Sequence, residues 1–140
     1  MKKILISIII VIILAMSLFH LNDYKEKNFF QALKVNEEKF LNSDLYYIKH
    51  DDTISTKIEN EKLEELTSYL SKYKLQRLSD KEFNESFTPQ FRIPTILNEK
   101  YFIDIYEEFI MIGIIKESMK FYKVIEGKEY SEHIKILLEE

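Results

Sequence analysis

Asp104 is the residue of this sequence whose surroundings point most directly to chemistry. It stands in an alternating apolar stretch, so a strand would place its carboxylate on the same face as Phe102 and Tyr106. If that face is covered, the carboxylate requires a cationic partner, and Arg92 or Lys123 on neighbouring predicted strands would supply one. The pattern favours the simpler alternative, a solvated face on which Asp104 needs no partner.

Tyrosine is the second feature that could serve binding, since the chain contains nine. Its ring offers a large contact area at low entropic cost, as recognition surfaces require. It is also a good strand residue, and packing in the core or at its edge is the favoured interpretation. A binding face would consist of Tyr46, Tyr101, Tyr106, Tyr122 and Asp104.

The histidines do not form a recognisable metal motif. There are three, and the chain has no cysteine, whereas a zinc site needs three or four converging ligands. His50, Asp51 and Asp52 are the one compact group of potential ligands, but Asp-rich hairpin tips are ordinary turns. We therefore predict no metal and no other cofactor.

No motif for catalysis is present either. The four pairs of adjacent carboxylates fall at predicted turns, on a polar helix side or at the terminus, where water reaches them, whereas acid–base catalysis would require one of a pair to be desolvated. Only Gly113 and Gly127 occur, which excludes a glycine-rich phosphate cradle. Without cysteine or a serine elbow motif, we predict no catalytic residue and a protein that is not an enzyme.

The elements that must position these residues begin with an apolar segment. Residues 4–21 contain no Asp, Glu, Lys or Arg and follow Lys2 and Lys3. Eighteen helical residues span roughly 27 Å, close to the ~30 Å hydrocarbon core. The lysines favour a cytoplasmic N-terminus and an extracytoplasmic body. The sequence thus predicts a single-pass cell-membrane protein, attached to the membrane through residues 4–21.

A cleaved signal peptide is the alternative for the same segment. Ala15, Met16 and Ser17 provide small residues at a suitable spacing. Cleavage there would leave Leu18 and Phe19 at the new terminus, which favours an uncleaved anchor. If the leader is cleaved, the body is secreted.

The composition of the body limits its partners. Lys2 and Lys3 are two of the 20 basic residues, so the remainder carries 18 against 24 acidic ones, a formal charge of −6. This balance argues against nucleic acid as a partner, and also against electrostatic adhesion to anionic lipids. Its roughly 119 residues suffice for one domain with a core built without disulfides.

The remaining pattern predicts an α+β fold. We divide the chain into an anchor at 1–21, a juxtamembrane helix or stalk at 22–43 and a domain at 44–140. Within the domain we predict an antiparallel sheet of about five or six strands packed by two helices. Pro94 cannot donate to a ladder, which predicts an edge position for its strand. The strand at 109–115 is apolar on both faces, which predicts a central one. The predicted elements are a hairpin at 45–58, a helix at 61–74, a short helix after a Ser79–Glu82 capping box, strands at 91–97, 101–106, 109–115 and 119–125, and a helix at 130–138.

The order of these features resembles that of small, membrane-anchored or lipid-anchored domains of unknown function from the envelopes of low-GC Gram-positive bacteria. The resemblance is carried by Met1-Lys2-Lys3 with the isoleucine run, by the hairpin and helix at 45–74, and by Phe121-Tyr122-Lys123-Val124 with the helix at 130–138. It implies an envelope location and no specific activity. The missing cysteine departs from the lipid-anchored members.

We therefore expect a non-catalytic binding module at the cell envelope, whose partner is another envelope protein or a peptide. Two alternatives remain open. One is a small envelope hydrolase with an unrecognised site, and the other is an immunity or inhibitor protein.

Overall fold

A computed structural model describes residues 2–48, 55–86 and 92–139. The first element is helix α1 (Lys2–Asp23), 22 residues long. Its side chains are exposed from Ile4 through Leu21, and the helix is long and apolar enough to cross a membrane. At 1.5 Å per residue it measures about 33 Å, which exceeds the thickness of the hydrocarbon core.

The segment predicted as one juxtamembrane helix or stalk is broken into short pieces. It contains the two-residue strand β1 (Lys27–Asn28) and the helices α2 (Phe29–Leu33) and α3 (Glu37–Leu41). Asn28 caps α2 reciprocally with Gln31, as in a capping box. The Phe29, Phe30 and Phe40 rings pack edge to face and are buried in the core of the domain. The segment from β1 to α3 therefore packs into the folded body, whereas Asn22 and Asp23 end α1.

The body is built on one antiparallel sheet. Within the described residues eight strands follow the order β1-β4-β8-β7-β6-β5-β2-β3, which is more than the five or six predicted. After β1, the strands are β2 (Leu45–Ile48), β3 (Ser55–Lys57), β4 (Lys74–Arg77), β5 (Arg92–Leu97), β6 (Tyr101–Tyr106), β7 (Phe109–Ile114) and β8 (Met119–Glu126).

The predicted α+β class and the central place of β7 are confirmed. The edge position predicted from Pro94 is wrong, because β5 lies between β2 and β6. In the described pairing β2 reaches β5 only from Thr95 to Leu97. Pro94 lies beyond that stretch and pairs with Asp104 on β6. Because the described β2–β5 ladder ends at Thr95, the missing amide hydrogen of Pro94 removes no bond from that ladder.

One face of the sheet, here called the core face, is covered by helices. It carries Ile103, Ile105 and Ile110, each no more than 1% exposed. Against it pack α4 (Asn60–Leu70) and α6 (Ser131–Glu139), together with α2 and α3. Helix α4 contributes leucines at the predicted three- and four-residue spacing, which form a single buried stripe. These four helices therefore cover the core face and not the opposite face of the sheet.

The opposite face, here called the outer face, carries Asp104 and is covered at one end by α5 (Asp80–Ser86). This helix begins at the predicted capping box: the Ser79 amide and hydroxyl donate to the Glu82 carboxylate at 2.8 and 2.7 Å. The Phe83 ring then stacks on Phe121 at a centroid distance of 3.8 Å. Helix α5 therefore covers the part of the outer face that carries Phe121.

Candidate functional site

The residues of the predicted binding face divide between the two faces of the sheet. The ladder register places Tyr46, Asp104 and Tyr106 on the outer face. It places Tyr101 and Tyr122 on the core face, since they pair in line with Ile114 and Ile110. The five residues therefore do not form one surface, and the outer face brings only three of them together.

The two tyrosines on the core face have separate roles. Tyr122 is 2% exposed, and burial raises the pKa of its hydroxyl above the ordinary value, opposed by the charge of Arg77. Tyr101 is half-buried and lines a cavity of about 200 Å³ together with Leu33 and Ile112. Tyr122 is thus a core residue, whereas Tyr101 still borders solvent.

Asp104 lies in a buried polar network, so the solvated face predicted for it is wrong. Its carboxylate is fully buried and contacts the Arg92 Nε at 2.6 Å. The Tyr106 hydroxyl donates to the same carboxylate oxygen at 2.8 Å. Arg92 was one of the two partners predicted for a covered Asp104, and its side chain remains 45% exposed. The pair therefore joins a buried carboxylate to a guanidinium at the surface.

Tyr106 shows what this network can do chemically. Burial, and then its hydrogen bond to Asp104, raise the pKa of the Tyr106 hydroxyl well above its usual value. The hydroxyl therefore remains protonated near neutral pH and acts as a hydrogen-bond donor. The arrangement fixes side chains on the outer face and leaves the Arg92 side chain partly exposed to solvent. It suits recognition better than proton transfer.

Beside this network runs a set of apolar side chains that the sequence did not reveal as one surface. Tyr46, Ile96 and Phe102 are cross-strand neighbours on β2, β5 and β6, and the row continues through Gly113 to Met119. We call Tyr46, Ile96, Phe102, Met111 and Met119 the outer strip. It crosses five strands, roughly 19 Å at the usual strand spacing.

The outer strip is continuous at Gly113 because the Met119 side chain lies above this glycine. A Cβ atom at Gly113 would lie 2.7 Å from the Met119 Cγ, so the Met119 side chain occupies the space above this residue. Met119 is 39% exposed, and the other four members of the strip are half-buried. The result is a continuous apolar surface that still contacts solvent.

The other candidate residues do not assemble around Asp104. His133 lies on α6, in the helical layer that packs on the core face, and its Nδ1 lies 3.2 Å from the Glu129 carbonyl oxygen. His20 contacts Tyr24 at the end of α1. Among the described residues no three His, Asp or Glu side chains lie close enough to hold a metal ion. The predicted turn with His50, Asp51 and Asp52 lies outside the described residues.

The carboxylate pairs are mostly at the surface. Glu64 and Glu65 are exposed on α4, and Glu65 accepts a 2.8 Å hydrogen bond from Tyr69. Glu108 is exposed and lies 3.8 Å from Lys128, while Glu107 is half-buried. Asp51, Asp52 and Glu140 lie outside the described residues.

Where α1 meets the domain there is a charged cluster that sequence reasoning missed. Asp23, the last residue of α1, contacts the Arg77 guanidinium, the Lys27 Nζ at 3.2 Å and the Lys120 Nζ at 3.4 Å. The Arg77 guanidinium also lies 5.3 Å from the Tyr24 ring centre. We call Asp23, Lys27, Lys34, Arg77 and Lys120 the junction cluster. Of the contacts to Asp23, only the one with Lys27 joins residues four apart, a spacing from which the sequence alone can suggest an ion pair.

Comparisons with protein-family models, with curated proteins and with solved structures find no match to this chain. The features that bear on its function are the outer strip, the Asp104 network and the junction cluster.

Proposed function

We propose that the chain is a single-pass membrane protein whose body is an extracytoplasmic, non-catalytic binding module at the cell envelope. The length and apolar surface of α1 support membrane attachment. Lys2 and Lys3 support a cytoplasmic N-terminus. The resemblance to small envelope domains of low-GC Gram-positive bacteria, made on sequence order alone, agrees with this location.

The observation that carries the binding role is the outer strip. It presents aromatic, branched and thioether side chains on a rigid sheet, on the face opposite the core helices. Aromatic and methionine side chains are enriched in protein interfaces, and a rigid scaffold lowers the entropic cost of association. This strip is thus the surface at which we place the partner.

The surroundings of the strip indicate the chemistry of that partner. Arg92 and Lys123 both lie on the outer face, four residues along their strands from Ile96 and Met119, and Lys123 is exposed. We propose a segment of another envelope protein, or a peptide, that carries apolar side chains flanked by carboxylates. An immunity or inhibitor protein would be one form of such a module, with a toxin or enzyme as its partner.

Photo-crosslinking in living cells tests this surface. A benzoylphenylalanine at Phe102, in the strip, is expected to form an adduct with one protein or peptide. The matched control position is Ile136 on α6, an apolar residue that is 56% exposed outside the strip. A second substitution, Met119→Lys, should reduce the Phe102 adduct about tenfold by placing a charge in the interface. Ile136→Lys should leave the adduct unchanged.

Both lysine variants change exposed side chains, so the fold should persist, which circular dichroism verifies. Equal crosslinking from positions 102 and 136 would contradict the assignment of the strip. So would an adduct that Met119→Lys leaves at full strength.

A further inference from the structure

The junction cluster forms one end of a groove that continues along α1. The groove has a volume of about 550 Å³, and its lining includes Met16 and Phe19 of α1 as well as Lys27, Lys34 and Lys120 of the body. One end is therefore apolar and belongs to the helix proposed to cross the membrane. The other end carries ammonium groups from three separate parts of the chain.

Positive charge exceeds negative charge at the basic end. Asp23 is the one carboxylate in the lining, against the three lysines, and Arg77 shares that same carboxylate. Lys120 is partly buried, with a side chain 33% exposed. Burial, and then the charges of Arg77, Lys34 and Lys27, lower the pKa of the Lys120 ammonium. These cations repel one another, and a bound anion would relieve the repulsion.

The position of the groove identifies the anion. Asp23 ends a helix of about 33 Å, so the lysines lie just beyond the ~30 Å hydrocarbon core, at the depth of the lipid headgroups. A phospholipid has both chemistries that the groove offers, an acyl chain for Met16 and Phe19 and a phosphate for the lysines. A free phosphate ion would use only the basic end.

We propose that the junction groove binds one anionic phospholipid, with its phosphate among Lys27, Lys34 and Lys120 and an acyl chain along α1. This proposal rests on the membrane attachment proposed above. The formal charge of −6 on the body argued against contact with anionic lipids, but a net charge does not show a local cluster of lysines. The bound lipid would hold the β1–β4–β8 edge of the sheet at the membrane surface, and so limit how the outer strip can be presented.

Native mass spectrometry of the full chain in detergent tests the proposal, with phosphatidylglycerol and phosphatidylcholine as probes. We expect preferential retention of one phosphatidylglycerol. Lys34 is exposed and has a left-handed backbone with a φ of 60°, which asparagine tolerates. Lys34→Asn should weaken phosphatidylglycerol binding about fivefold, and Lys34→Asn with Lys120→Gln roughly thirtyfold. The matched control, Lys57→Gln with Lys128→Gln, removes the same charge at two exposed lysines outside the groove lining and should leave phosphatidylglycerol retention unchanged.

Three results would overturn the lipid site. These are equal retention of both lipids, equal loss in the control variant, and displacement of the lipid by inorganic phosphate at an equal concentration. The last result would assign the cluster to a soluble anion.

Flotation with phosphatidylcholine vesicles tests membrane attachment independently of the lipid preference. If the wild-type chain and both variants float, membrane attachment stands whatever the lipid preference, whereas a chain that does not float contradicts the attachment.

Discussion

The Ile110→Asp variant is expected to unfold at a far lower urea concentration than the wild-type chain. Ile110 lies on the central strand β7 and is fully buried on the core face. The substitution removes buried apolar area and introduces a carboxylate without a partner, which costs more than about 4 kcal/mol. Domains of this size have a total stability of roughly 5–15 kcal/mol. Near-ultraviolet circular dichroism of the tyrosines during urea titration, on the full chain in detergent, measures the effect.

Ile136→Asp is the matched control for this prediction. The same substitution is made on α6 at a side chain that is 56% exposed, where it should cost less than about 1 kcal/mol. Equal stability losses for the two variants would mean that β7 is not at the centre of a packed sheet.

The second large effect is expected at Asp104. Asp104→Ala removes the acceptor of the 2.8 Å Tyr106 hydrogen bond and of the 2.6 Å Arg92 contact. Breaking a fully buried ion pair costs about 3–5 kcal/mol. Because the Arg92 side chain is 45% exposed and remains solvated after the change, we expect a smaller loss, about 2–3 kcal/mol, in the free energy of unfolding. The same urea titration measures it.

Two further variants serve as comparisons for Asp104→Ala, one at Asp104 itself and one at an exposed ion pair. Asp104→Asn keeps an acceptor for Tyr106 and should be less destabilising than Asp104→Ala. Glu108→Ala removes an exposed carboxylate that lies 3.8 Å from Lys128, and surface pairs of this kind contribute about 0–1 kcal/mol. A loss at Asp104 as small as the loss at Glu108 would refute the buried network.

Local periodicity was enough to predict most of the large elements. The apolar run gave α1, the leucine spacing gave α4, and alternation gave β5 to β8 in nearly their observed positions. Alternation also placed Asp104 with Phe102 and Tyr106 correctly. Such predictions succeed because each element buries a face whose period is visible in a single stretch of chain.

The misses are residues whose state depends on distant parts of the chain. Asp104 is buried in the fold, which no pattern around it reveals. Strand β1 has two residues and depends on pairing with β4, while Asp23 is neutralised by Arg77 and Lys120. One error was avoidable: Tyr101 and Tyr106 are five residues apart on the same strand, so alternation alone puts them on opposite faces.

Site-specific labelling in intact cells tests the central claim most directly, since the chain has no native cysteine to interfere. Ser68→Cys places a thiol on α4 at an exposed position of the body, and a cysteine inserted after Met1 reports on the N-terminus. A membrane-impermeant maleimide should label position 68 in intact cells and the N-terminal cysteine only after permeabilisation, with the labelled chain retaining the full 16.9 kDa mass. A shorter labelled chain would identify a cleaved leader. Labelling of position 68 only after permeabilisation would contradict the account.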